Sequence, residues 1–132
     1  MGVRRFEDLV AWQLAYQLQE EVFAFTALAC ASRDVSYCTQ IRESARSATS
    51  NIAEGFGRYY PKEFARFLRI AGSSLHETKN HLHDGNNRHY LSDSEHDRLV
   101  RLALRALKAN TRLIAYLLMA KAPEPFTGKK NL

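Results

Sequence analysis

The stretch SDSEHDRLVRLALRALKANTRLIAYLL, residues 92–118, decides the fold. It opens on Ser92-Asp93-Ser94-Glu95, the pattern of a capping box, in which Ser and Glu satisfy reciprocal backbone donors. Leu99, Leu102, Ala103, Ala106, Leu113 and Leu117 follow at the spacing of one helix face. Arg98, Arg101, Arg105, Lys108 and Arg112 advance in steps of 3, 4, 3 and 4, a continuous ridge roughly opposite that face. A further apolar set, Leu104, Leu107, Ile114 and Leu118, lies well to one side. The pattern predicts one long amphipathic helix reaching about Lys121.

Working outward, the same period recurs three times. The first helix is predicted over about Glu7 to Ala29, with Ala11, Leu14, Leu18, Val22, Phe25 and Ala29 as its core stripe. Leu9, Trp12, Tyr16 and Phe23 form a second stripe roughly 120° around the cylinder, at about 100° per residue. A helix apolar over more than half its circumference needs two partners to cover it. The second helix, about Ser36 to Gly55, carries a thin stripe of Tyr37, Ile41, Ala45, Ala48, Ile52 and Phe56. Beside it runs a polar row of Gln40, Ser44, Ser47, Asn51 and Glu54, a sign of close helix approach with satisfied hydrogen bonds. The third helix starts at Pro61, suited to a first turn, and runs to about Asp84 with Phe64, Phe67, Leu68, Ala71, Leu75, Thr78 and Leu82 on one face. Four such helices joined by short connections predict an all-α fold, an antiparallel up-down-up-down four-helix bundle.

Composition agrees. The chain has 132 residues, 45% apolar and 25% charged, with only six Gly and three Pro, which argues against a turn-rich all-β design. The expected organisation is one domain over 1–132, with a core of about 6–121 and flexible tails at 1–5 and 122–132. No apolar run approaches the ~20 residues that span a bilayer, and Met1 to Asp8 lacks the apolar stretch of a secretory signal. Two cysteines, Cys30 and Cys38, are too few for a disulfide scaffold and are expected reduced and packed. These features point to a cytoplasmic protein with no membrane role.

The net charge of +5 is mild, but it is unevenly spread. Phe6 to Ser32 holds four acids (Glu7, Asp8, Glu20, Glu21) and no base, whereas Arg98 to Lys121 holds six bases and no acid. Arg58, Lys62, Arg66 and Arg69 make a shorter ridge on the third helix, and Arg42 and Arg46 a pair on the second. Three readings stay open for these ridges: binding an RNA or DNA backbone, meeting the acidic first helix of another subunit, or plain solvation. On the first, Tyr59, Tyr60 and Tyr90 are candidates for stacking on unpaired bases. The surplus apolar surface of the first and fourth helices points to a homo-oligomer, with a broad bundle whose flanking positions are half buried as the alternative. Its candidate interface is Leu9, Trp12, Tyr16, Phe23, Leu104, Leu107, Ile114 and Leu118.

Catalytic and cofactor motifs are missing. No glutamate has a histidine three residues later, so the di-iron carboxylate pattern is absent. His76 and His81 are five apart and do not share a helix face. Glu77, His81 and Asp84 do share one, a weak metal candidate against the simpler reading of polar surface side chains. Gly55-Phe56-Gly57 follows a helix, lacks a third glycine and reads as a helix C-terminus. No metal, cofactor or enzymatic activity is expected.

Certain residues resemble a known family. Gln40-Ile41-Arg42 through Ser50-Asn51-Ile52-Ala53-Glu54-Gly55-Phe56-Gly57-Arg58 resembles the signature of small bacterial four-helix-bundle proteins encoded within intervening sequences of large-subunit ribosomal RNA genes. Phe6-Glu7-Asp8-Leu9-Val10-Ala11-Trp12-Gln13 and Glu63-Phe64 through Ala71, then Ser74 and Glu77, are similar to its other motifs. The likeness runs over roughly residues 6 to 120. It implies a homopentamer without established enzymatic activity. A related branch, accessory proteins of retroelements, uses a basic surface on nucleic acid and a reverse transcriptase. The family's marked positions fall here on Gln40, Asn51, Glu54, Gly55 and Glu77, read as fixing helix packing or a subunit joint. The sequence thus predicts a non-enzymatic oligomer presenting basic ridges to RNA or DNA, with a protein–protein scaffold as the alternative.

Overall fold

Helices form where the apolar period places them, and their ends follow local chemistry. The structure is a computed structural model that describes residues 2–120, apart from the side chain of Ala29; the helix end expected at Lys121 and the tail expected at 122–132 lie outside these residues. A 3-10 turn, Phe6–Asp8, leads into α1 (Val10–Thr26), α2 (Ala29–Ser32), α3 (Val35–Phe56), α4 (Pro61–Asn87) and α5 (Asp93–Met119). All secondary structure among the described residues is helical. Each long helix packs against two others: α1 on α3 and α5, and α4 on α3 and α5.

The first predicted helix divides into three pieces, the 3-10 turn, α1 and α2. The Thr26 hydroxyl donates to the Val22 carbonyl at 2.7 Å and accepts from Arg42 Nε at 2.8 Å, tying the last turn of α1 to α3. A hydroxyl that bonds back on its own helix competes with continuation. Leu28 is then extended, and α2 is a single separate turn. At the start of α5 only half the capping box forms: Ser92 Oγ accepts from the Glu95 N–H at 3.1 Å. The Glu95 carboxylate instead turns toward Arg98, 3.8 Å away.

Leu18, Val22, Phe25, Ile41, Ile52, Leu68, Leu75, Leu82 and Leu99 are fully buried, with Ala45, Ala48, Ala71, Ala103 and Ala106 between them. These small residues let α3 and α4 approach closely enough for hydroxyls to bridge. Ser44 Oγ and Thr78 Oγ1 lie 2.8 Å apart, and Ser74 Oγ donates to Ser47 Oγ at 2.7 Å. Asn51 Nδ2 donates to the Ser47 carbonyl at 2.8 Å. These hydroxyls and the Asn51 amide nitrogen each find a partner, as burial requires. Between α4 and α5, the buried Asn110 donates to the Leu68 carbonyl at 2.8 Å. Gly72 leaves it room, since a Cβ there would stand 3.3 Å from Asn110 Nδ2.

The helix terminus expected at Gly55-Phe56-Gly57 forms, and its two glycines play different parts. Gly55 is not past a helix end but buried inside α3, where a Cβ would meet Phe67 Cβ at 2.7 Å and Phe64 Cδ1 at 2.8 Å. Gly57 is the C-cap, with an ordinary right-handed φ of −75°. Gly85 lies directly under the Tyr37 hydroxyl, which donates to the His81 carbonyl at 2.5 Å.

A polar knot locks the α2–α3 turn to the α4–α5 turn. Asp34 caps α3 by accepting from the Tyr37 N–H at 3.1 Å, and its second oxygen accepts from the Tyr90 hydroxyl at 2.7 Å. Arg88 lies 3.7 Å from Asp34 and donates to Asp84 at 3.1 Å. The Tyr90 hydroxyl, then the Tyr37 N–H, hold the Asp34 carboxyl below the usual carboxylate range. A carboxyl depressed in the folded state adds stability above its unfolded pKa, and that stability is lost as pH falls through the folded pKa. Asp34→Asn keeps a capping oxygen but not the charge. The variant should therefore be less stable than the parent at pH 6, with the gap closing in thermal melts below about pH 4. A gap that stays constant down to pH 2.5 would contradict this role for Asp34.

Candidate nucleic-acid interface

The α5 ridge borders a groove whose other wall is α1. Arg98, Arg101, Arg105, Lys108 and Arg112 are all exposed, and residues 98 to 112 span about 21 Å at 1.5 Å per residue. Two adjoining recesses of about 250 and 230 Å³ share Arg105. One is lined by Gln17, Arg98, Arg101 and Leu102, the other by Val10, Leu14, Lys108, Ala109 and Arg112. The floor is apolar and the rim cationic.

Arg98 differs from the rest. It grips Glu21 through two hydrogen bonds of 2.7 and 3.1 Å, which hold the Glu21 carboxyl below its usual range. The acidic first helix therefore meets this end of the basic ridge within one chain. Arg101, Arg105, Lys108 and Arg112 have no carboxylate partner among the described residues. Four adjacent cations thus carry uncompensated positive potential, and anions gather at such a stripe.

The two ridges predicted from the sequence do not share the groove. Arg58 donates to Glu54 at 2.9 Å, lies 3.4 Å from Glu63 and stacks 4.7 Å over the Phe67 ring. Arg66 covers the same ring at 4.8 Å. Lys62 lines a separate apolar recess with Tyr60, Pro61, Leu117, Leu118 and Ala120, and Arg69 is exposed on α4. Of the stacking candidates, Tyr90 is occupied by Asp34 and packs edge-on against Tyr37 at 5.1 Å. Tyr59 and Tyr60 pack on each other at 4.9 Å at the start of α4, outside the groove lining.

The remaining candidates scatter. Gln40 is exposed, donates to Ser36 Oγ at 3.2 Å and edges a polar recess of about 380 Å³ that includes Asp34, Tyr37, His81, Asp84 and Arg88. Glu54 and Glu77 do not pair: Glu54 works with Arg58 beside Glu63, and Glu77 lies about 21 Å farther along α4. Glu77 instead stands 3.6 Å from His81, while Asp84 turns to Arg88. No group of three or more His, Cys, Asp or Glu is placed to hold a metal among the described residues. Cys38 is buried but Cys30 is exposed, which corrects the expectation that both are packed.

Among the interface candidates, Leu9 is only 4% exposed and belongs to the chain's own core. Trp12 stacks on Tyr16 at 4.8 Å and meets Phe6 edge-on at 5.4 Å. Phe23 is roofed by Arg42 and Arg46 at 4.8 and 5.3 Å. Much of the second stripe of α1 is thus covered from within. Leu107 and Ile114 are half-buried, whereas Leu104 and Leu118 are about half exposed. The α1 wall of the groove escaped the sequence reading. Its only signal was the narrow polar face holding Gln17 and Glu21.

No helix among the described residues is long and apolar enough to cross a membrane. No curated protein matches the sequence. A crystal structure of a protein of unknown function from the S23 ribosomal protein family, from Bacteroides thetaiotaomicron VPI-5482, matches with a TM-score of 0.72 and 19% identity. The match covers 80% of this chain and 98% of that one, and it shows a shared fold. The profile of the 23S rRNA-intervening sequence protein family matches residues 7–111. With most of its length matched, the chain belongs to the 23S rRNA-intervening sequence protein family.

Proposed function

We propose that this chain is a non-enzymatic, self-associating protein of the cytoplasm that holds RNA or DNA by its phosphate backbone along α5. The observation that carries the reading is the row Arg101, Arg105, Lys108 and Arg112, exposed and without carboxylates. Cations in a groove lined by no aromatic ring suit phosphates and leave bases unread. The family's link to ribosomal RNA intervening sequences supports an RNA setting.

The proposed architecture is the antiparallel up-down-up-down four-helix bundle. Its support is that partners descend along one helix as they ascend the next. Thr26 meets Arg42 and Gln19 meets Thr49; Ser44 meets Thr78 and Ser47 meets Ser74. Leu68 meets Asn110 and His83 meets His96. Glu21 meets Arg98, while Val10 and Leu14 sit beside Arg112 and Lys108. Self-association, as the homopentamer of the resemblance, takes the apolar flank of α5 turned away from α1, where Leu104 and Leu118 are exposed.

Fluorescence titration of mixed-sequence RNA and DNA at low ionic strength tests the function. Binding of both without sequence preference is expected. No binding at low salt would overturn the proposal and favour a protein partner on the α5 flank. Light scattering tests assembly, where a 15.1 kDa monomer would defeat self-association.

A further inference from the structure

Two imidazoles face each other across the α4–α5 joint. His83 belongs to the end of α4 and His96 to the start of α5. His83 Nδ1 stands 2.8 Å from His96 Nε2, with ring centroids 5.0 Å apart and planes at 47°. The far nitrogen of His96, Nδ1, lies 3.0 Å from Asp97 Oδ1. A carboxylate only accepts, so it fixes the proton of a neutral His96 on Nδ1 and leaves Nε2 with a lone pair aimed at His83. Carboxylates do the same behind histidines that bind metals, where they set the tautomer and orient the ring.

We propose that His83 and His96 form a two-histidine site for a divalent transition metal, bridging α4 and α5. Imidazole nitrogens suit zinc, nickel and copper. With bonds of about 2.05 Å meeting at about 105°, two chelating rings have centroids about 5 Å apart. The observed rings already have that separation, so they turn in place without moving the helices. The proton balance closes within His83: its Nδ1–H moves to Nε2, which frees the second lone pair without a net change of charge. Water completes the coordination, so the metal is exchangeable. Asp97 is the nearest compensating charge, with Lys79 one turn before His83 on α4. The site is independent of the α5 ridge and stands or falls apart from nucleic-acid binding.

The test uses the untagged full chain carrying Cys30→Ser, which removes the exposed thiol as a competing ligand. Nickel and zinc chlorides are titrated separately by calorimetry and by thermal melting. One ion per chain is expected, with the melting midpoint rising by several degrees at about 100 times the dissociation constant. His83→Ala and His96→Ala should each abolish the rise, and His76→Ala and His89→Ala should keep it. Should an alanine variant lose helical circular dichroism, His83→Gln and His96→Gln take its place, retaining a polar group. No binding by the parent, or binding that survives loss of both histidines, would overturn the site.

Discussion

Reversing Arg101, Arg105 and Lys108 together to glutamate should weaken RNA and DNA binding by two to three orders of magnitude while leaving helical content unchanged. Each phosphate contact releases condensed counterions, and binding varies with salt to a power of about −0.9 per contact on a duplex and −0.7 on a single strand. At 0.1 M salt, three lost contacts therefore cost about 500-fold on a duplex and about 100-fold on a single strand. Repulsion from the new carboxylates adds to that loss. The fold should survive, because all three side chains are exposed and none has a carboxylate partner to lose. Arg98 is left out of the set deliberately, since its bond to Glu21 joins α5 to α1. Fluorescence titration and far-UV circular dichroism on the same sample check both halves. Unchanged affinity would move the binding surface off α5.

Gly55→Val should be strongly destabilising, whereas Gly57→Ala should be nearly silent. At Gly55 a Cβ meets Phe67 Cβ at 2.7 Å, Phe64 Cδ1 at 2.8 Å and the Phe64 carbonyl at 3.2 Å. The first of these is the root of a side chain on α4 and the last is backbone, so neither yields without moving the helix. Overpacking a close helix contact costs about 1–3 kcal/mol. For alanine at Gly55, the better helix propensity returns about 1 kcal/mol of that. Valine adds two methyls and gains less propensity, leaving a net loss of about 2–3 kcal/mol. In a chain of this size that lowers the melting midpoint by roughly 6–12 °C. At Gly57 the nearest atom to a Cβ is the Glu54 carbonyl at 3.4 Å, ordinary contact, and φ is −75°. Thermal melts of the two variants side by side decide which glycine the α3–α4 contact needs. Equal midpoints would contradict the packing account.

The sequence carried the helices because periodicity depends on neighbours along one helix. Leu99, Leu102 and Ala106, or Leu68, Leu75 and Leu82, report their own buried face at helical spacing. The polar row of α3 was legible for the same reason, and its partners on α4 supply the hydroxyl bridges. What escaped depends on two helices at once. Asn110 looks like a polar interruption of α5 until Leu68 offers a carbonyl across the gap. On a single helical cylinder starting at Glu7, Leu9 falls on the outer stripe. The 3-10 turn at Phe6–Asp8 rotates it inward instead. His83 and His96 are thirteen residues apart in sequence, and only the α4–α5 turn brings them together. The candidate interface was legible as a ridge. Its α1 wall, and the way Glu21 compensates Arg98 alone, were not.

The salt dependence of nucleic-acid binding tests the central claim most directly. The association constant for a mixed-sequence RNA duplex should be measured at several salt concentrations between 50 and 200 mM. If the four uncompensated cations of one chain each meet a phosphate, log–log slope should be about −3.6, and steeper where copies act together. The Arg101→Glu, Arg105→Glu, Lys108→Glu variant should flatten the slope by about 2.7. A parent slope near zero, or one that the triple substitution leaves unchanged, would contradict a phosphate-binding role for α5.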